Sequence, residues 1–266
     1  MLKDAPPTEA CTKSQLEPIQ LLKDSSFCFR CHKGLACYTK CCSGIDIILT
    51  PYDVIRLKNR LELSSSEFLS IYTKPEILNN YGLPVATLKM INDTERTCPF
   101  VREDGCLVYT DRPASCRYYP LGLANTREQQ DSPEQFYFFV KEEHCLGFQE
   151  KDEWTVEDWR QNQGVDIYDT VNKRWMEFAM RARSFSGRRE LTEKSREMFF
   201  MASYDIERFR RFVFESSFLK RYNVPLEMLE KAKESEVELF QLGCEWLNCA
   251  FFEIGEIQPR QLKGKQ

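Results

Sequence analysis

The feature that most constrains this chain is the placement of its cysteines. There are twelve, and most crowd into two groups: Cys28, Cys31, Cys37 and the adjacent pair Cys41-Cys42, then Cys98, Cys106 and Cys116, with Cys145 following. Thiolate-rich groups select zinc, copper(I) or iron–sulfur clusters. Calcium and magnesium, which take oxygen ligands, suit them poorly. The chain has 266 residues and is 42% hydrophobic, enough to build a core without a metal to rescue it. A metal site here therefore implies more than a staple for a tiny scaffold.

The surroundings decide how the thiols are read. The N-terminus, Met1-Leu2-Lys3-Asp4-Ala5-Pro6-Pro7, lacks the apolar stretch of a secretion signal. No run approaches the roughly 18 apolar residues of a membrane span. The expected compartment is the cytoplasm, where cysteines serve as ligands or catalytic thiols rather than in disulfides. A net charge of −4 and a pI near 5.5 give no broad attraction to phosphate backbones. Neither nucleic acid nor membrane is expected as a partner; a protein or small-molecule partner stays open.

The expected fold class is α+β, mainly α: a loop-rich cysteine module packed against a C-terminal helical domain. Residues 1–26 read as a loose leader, 27–150 as the metal-binding module and 151–266 as the helical domain. Thr50-Pro51 starts a helix with Thr50 as N-cap. Val54, Leu57 and Leu61 lie on its inner face, with Arg56, Lys58 and Arg60 outside. Ser64 and Glu67 form a capping box for a second helix, with Phe68 and Ile71 facing inward. Between Lys74 and Glu150 the prolines break regular patterning, and only short segments such as Gln135 to Val140 look extended. Past Trp154, Thr155 caps the first of four or five expected helices. Ala202, Ile206, Phe209 and Val213 fall on one apolar face, as do Val237, Phe240, Cys244 and Leu247. Cys244 is thus expected in a core rather than at a metal, and Arg208, Arg210 and Arg211 on a solvated face.

Several stock motifs are absent. The ferredoxin run C-x2-C-x2-C-x3-C-P, paired zinc-finger histidines, G-x-G-x-x-G, the P-loop, H-E-x-x-H and G-x-S-x-G do not occur. The sequence does resemble the YkgJ-type cysteine-cluster family. The resemblance rests on Phe29-x-Cys31-x5-Cys37-x3-Cys41-Cys42, on Leu49-Thr50-Pro51-Tyr52-Asp53 and on Glu67-Phe68-Leu69. It continues in Cys98-Pro99-Phe100, Gly105-Cys106-Leu107-Val108-Tyr109 and Arg112-Pro113-x2-Cys116-Arg117-x-Tyr119-Pro120. It spans roughly residues 27 to 148. It implies zinc or iron chelation by eight cysteines, here Cys31, Cys37, Cys41, Cys42, Cys98, Cys106, Cys116 and Cys145. The module is also similar to that of flagellin lysine N-methylases, which implies an iron–sulfur centre in that branch.

An iron–sulfur cluster is the preferred cofactor, because the ligand set is cysteine alone and Cys98-Pro99 matches the cysteine–proline step of ferredoxins; zinc is the alternative. Eight thiolates make two four-ligand sites, or one site with spare cysteines. Cys41 and Cys42, being adjacent, project in different directions, which suits two metals or two iron atoms of one cluster. Arg112 and Arg117 flank the second group, either as donors to bound sulfur or as partners of Asp111 or Asp104. Tyr118, Tyr119 and Phe100 are expected to wall the site, and His32 and His144 are not expected to ligate. Three functions follow: redox or protein-modification chemistry on a cluster, a zinc-stabilised interaction module, or metal handling.

Overall fold

The computed structural model describes residues 20–78, 82–125, 135–186 and 191–260. The expected leader falls largely outside them, as does Cys11. The chain opens with β1 (Ser26–Cys28), then a tight 3-10 turn at Lys40–Cys42 and β2 (Ile48–Leu49). Two capped helices follow, α1 (Pro51–Arg60) and α2 (Ser65–Tyr72). A hairpin of β3 (Thr73–Leu78) and β4 (Leu83–Leu88) comes next. Short pieces carry the second cysteine group: β5 (Val101–Arg102), β6 (Gly105–Cys106) and α3 (Ala114–Tyr118). Then come β7 (Leu121–Asn125), β8 (Gln135–Phe139) and β9 (Glu153–Thr155). Helices dominate the rest: α4 (Val156–Gln163), α5 (Asp166–Ser186), α6 (Glu193–Tyr204), α7 (Ile206–Glu215) and α8 (Phe218–Arg221). The chain closes with β10 (Tyr222–Asn223), α9 (Leu226–Glu234), α10 (Glu236–Phe252) and β11 (Gln258–Pro259). The class is α+β, mainly α.

The capping residues act as the sequence predicts. Thr50 and Asp53 close a reciprocal box at α1, Ser64 and Glu67 another at α2, and Thr155 caps α4. Two facing assignments differ. Lys58, expected outside α1, is buried, because the carboxylates of Glu207 and Glu236 reach it from far along the chain at 2.8 and 2.6 Å. Ile71 is exposed, and the eight-residue α2 is anchored instead through buried Phe68 and through Ser65, which bonds Asp205 and Glu207. The stretch after Lys74 is also more regular than expected. Pro75 lies in β3, an edge strand where a missing N–H is tolerated, and Pro84 near the start of β4.

The chain divides into two compact units that are interleaved in sequence. One takes residues up to Ile45 with Met90–Ile167; the other takes Asp46–Lys89 with Tyr168 onward. The first unit has an aromatic core. Phe27 and Phe29 meet Trp159 edge-on at 6.0 and 5.5 Å, and Phe29 meets Phe148 at 5.2 Å. Each such ring, fully buried, contributes about 1.5–3 kcal/mol. Strands β1 and β9 pair antiparallel, as do β7 and β8. Arg160 is buried in this core, donating to the hydroxyls of Tyr118 at 2.7 Å and Tyr137 at 3.0 Å and pairing with Asp166. That places Tyr118 in the core, away from the walling role expected of it.

The second unit combines the sheet β2-β4-β3 with the long helices. Ala202, Ile206, Phe209 and Val213 are all buried, although Asp205 splits them between α6 and α7. Helix α10 runs through the middle with Leu239, Phe240, Cys244 and Leu247 inward. At Gly243 a Cβ would sit 3.0 Å from the Ala202 carbonyl oxygen, so the missing side chain sets how closely α10 approaches α6. Cys244 is core, as expected.

Candidate metal centre

The first cysteine segment is built from consecutive tight turns. Backbone hydrogen bonds run from Leu35 to His32, Tyr38 to Leu35, Lys40 to Cys37 and Cys42 to Thr39, at 2.9–3.1 Å. A 3-10 turn has three residues per revolution, so adjacent Cys41 and Cys42 point about 120° apart. One turn thus serves two directions.

In one direction, Cys31, Cys37, Cys41 and Cys145 line a single cavity with Phe29 and Tyr119. The backbone brings them together. Arg30 N–H donates to the Gly147 carbonyl at 3.1 Å, and Leu146 N–H donates to the Cys37 sulfur at 3.3 Å. These two bonds tie the loop carrying Cys145 to both ends of the Cys31–Cys37 turn.

In the other direction, Cys42 meets the second group. Cys98 N–H donates to the Cys42 carbonyl at 2.7 Å, Ser43 bridges Thr97, and Gly44 N–H reaches the Arg96 carbonyl at 3.2 Å. From Cys98 the chain enters the β5–β6 hairpin, which returns it to Cys106 opposite Val101. Gly105 holds φ +131°, a conformation that favours glycine, and a Cβ there would lie 2.6 Å from the Tyr38 hydroxyl. Tyr38 thus packs directly on the hairpin. Helix α3 delivers Cys116, whose charge is felt at Cys42 and at Arg112.

The electrostatics follow this grouping. Burial, then Cys41, Cys37 and Cys145, pushes the Cys31 thiol up to about 11. The Cys42 thiol is raised by its hydrogen bond with Cys41, by burial, and by the charges of Cys41, Cys98 and Cys116. Conversely the bond from Cys42 holds Cys41 down. Burial raises Cys98 and Cys106, opposed at Cys98 by the N–H groups of Phe100 and Val101 and at Cys106 by that of Val108. Main-chain donors aimed at sulfur stabilise it as thiolate. Desolvation without counter-charge opposes the same ionisation, and a bound cation would reverse that balance.

The two arginines differ. Arg117 is committed to main chain, donating to the carbonyls of Arg112 at 3.1 Å, Gln163 at 2.6 Å and Thr110. Arg112 stacks 4.0 Å above the Tyr109 ring, donates to the Tyr109 carbonyl at 2.7 Å, and lies within electrostatic reach of Cys106 and Cys116. Burial lowers its pKa. Arg102, which the motifs did not single out, straps the hairpin through the carbonyls of Pro99 at 2.9 Å and Val101 at 2.6 Å and helps ionise Cys98 and Cys106. Its position between two cysteines was the available signal. Tyr119 lines the cavity as expected, and Phe100 is buried. His144 lines the cavity too, with its Nε2 3.2 Å from Glu142; that of His32 is 3.6 Å from Glu150. Cys28 is disulfide-bonded, contrary to the expectation of thiols throughout.

Residues 30–146 match the family model CxxCxxCC, described as "Putative zinc- or iron-chelating domain". Over this segment the chain is similar to that cysteine-cluster family. The match begins and ends at the two loops that Arg30 and Leu146 tie together, and it includes all eight cysteines of the family pattern. No curated protein and no solved structure matches the chain.

The donor set fits such a metal. Its sulfurs are concentrated, partly desolvated and served by main-chain N–H groups, and among the described residues the buried Tyr119 hydroxyl meets no hydrogen-bond partner beyond the Cys145 sulfur it faces. Among the described residues, no three His, Cys, Asp or Glu side chains stand close enough to hold one ion as their rotamers are set. Among the described residues, no helix is long and apolar enough to cross a membrane.

Proposed function

We propose that the cysteine-cluster domain is a thiolate metal centre holding an iron–sulfur cluster, used for redox or protein-modification chemistry. Its ligands are drawn from Cys31, Cys37, Cys41, Cys42, Cys98, Cys106, Cys116 and Cys145. The observation that supports this reading is the gathering of Cys31, Cys37, Cys41 and Cys145 around one cavity, with Cys42 and Cys98 joined through the main chain and N–H groups directed at Cys37, Cys98 and Cys106. Hydrogen bonds to sulfur, nearby charge and burial are the levers by which a protein sets a cluster's potential. Arg112 supplies charge near Cys106 and Cys116, the Tyr119 hydroxyl faces Cys145, and Arg117 positions α3 through backbone carbonyls.

A second reading rests on the size of the cavity. The space among Cys31, Cys37, Cys41 and Cys145 admits roughly one water-sized sphere. That favours a single tetrahedral zinc or iron ion, as in structural thiolate sites. Absorbance of anaerobically purified protein, with iron, zinc and acid-labile sulfide assayed on the same sample, separates the two. Broad visible absorption with sulfide matching iron supports the cluster. A colourless protein carrying stoichiometric zinc and no sulfide overturns it.

A further inference from the structure

We infer that the eight cysteines form two separate four-thiolate centres, one from Cys31, Cys37, Cys41 and Cys145 and one from Cys42, Cys98, Cys106 and Cys116. The inference rests on the metal-binding reading above and adds how the ligands are shared. The main chain divides them this way. Hydrogen bonds from Arg30 to Gly147 and from Leu146 to the Cys37 sulfur close the first set, whose four cysteines line one cavity. The Cys98-to-Cys42 bond and the β5–β6 hairpin close the second.

The dividing point is the Cys41-Cys42 peptide. Cys41 lines the cavity with Cys31, Cys37 and Cys145, whereas the Cys42 carbonyl accepts from the Cys98 N–H, so each residue goes to its own set although their two thiols meet in a hydrogen bond. The thiols that act on Cys31 are Cys41, Cys37 and Cys145, while Cys42 feels its neighbour Cys41 first and then Cys98 and Cys116. The crossings are those expected of neighbouring centres, namely the Cys41–Cys42 hydrogen bond and the influence of Cys41 on Cys106. Access differs as well. Cys31 is exposed, whereas no member of the second set is. The first centre is therefore the one that exchanges metal with solvent.

The test compares iron, zinc and sulfide in full-length wild-type protein, Cys145→Ala and Cys116→Ala, all purified anaerobically. Two centres predict that each variant keeps half of the wild-type metal and the double variant keeps none. If either single variant loses all metal, or either loses none, the division is overturned while the metal reading stands. A wild-type protein with no metal overturns the metal reading itself. Should a variant fail to fold by circular dichroism, titration of the wild-type apoprotein with cobalt(II) decides instead. Saturation of the thiolate–cobalt band at two equivalents supports two centres, and saturation at one rejects them. Chelator challenge of the loaded protein gives two phases, and only the faster one disappears in Cys145→Ala; a single phase overturns the difference in access.

Discussion

Gly105→Ala tests whether the β5–β6 hairpin holds its cysteines in a conformation the metal needs. Gly105 sits at φ +131°, and an added Cβ would lie 2.6 Å from the Tyr38 hydroxyl. A non-glycine residue forced into such a backbone region costs about 1–3 kcal/mol. Overpacking against Tyr38 adds about 1–3 kcal/mol. Allowing the two to relax together, the penalty is about 2–4 kcal/mol. In the apoprotein the hairpin can relax and shed this strain, but gathering Cys98 and Cys106 on a metal restores it. The penalty therefore falls on binding, and each 1.4 kcal/mol is a factor of ten. Zinc affinity at the second group should drop about 30- to 700-fold, measured by competition against a chromophoric chelator. Adding Tyr38→Phe removes the hydroxyl and should recover the contact part while leaving the backbone part. Unchanged affinity in Gly105→Ala, with folding intact by circular dichroism, would refute the reasoning.

Three further predictions bear on other parts of the molecule. Lys58→Met leaves the mostly buried carboxylates of Glu207 and Glu236 without their cation and should destabilise the second unit by about 2–4 kcal/mol; an unchanged melting temperature contradicts this. Burial depresses Lys58, but Glu207 and Glu236 outweigh it and raise its pKa above the usual 10.5. Its contribution is complete below that value and lost as pH rises through the raised one. Burial likewise disfavours ionised Glu207, but Lys58 and Ser65 outweigh it and hold its pKa below the usual 4.5. That contribution is complete above 4.5 and lost as pH falls through the lowered value, so stability should fall off at both ends in wild type and less so in Lys58→Met. Cys244→Ala should cost about 1–2 kcal/mol of stability and leave metal content unchanged, because burial keeps that thiol neutral; lost metal in elemental analysis would place it in the centre. Chelating the metal should lower the first unit's melting temperature, since the ligand loops then lose their organising ion; identical melting of apo and loaded protein counts against it.

Capping chemistry and helical periodicity were readable from sequence because both are local: Thr50, Ser64 and Thr155 cap where their hydroxyls predict. Cys244 was assigned to a core by its apolar face and lies in one. What escaped depends on residues distant in the chain. Lys58 looks like a surface charge until Glu207 and Glu236 arrive, and the β3–β4 hairpin was obscured by prolines that an edge strand and a strand start can hold. The interleaving of the two units was equally hidden, since Asp46–Lys89 interrupts the cysteine spacing without altering its motifs. Within the site, the spacing of the cysteines named the candidates. Their division needed backbone bonds such as Cys98 to Cys42, which no motif encodes.

The most direct test of thiolate metal binding is X-ray absorption at the edge of whichever metal the anaerobically purified protein carries. The account predicts a first shell made of sulfur alone, near 2.3 Å as in thiolate sites generally, with about four sulfurs per metal. A shell dominated by nitrogen or oxygen would contradict it.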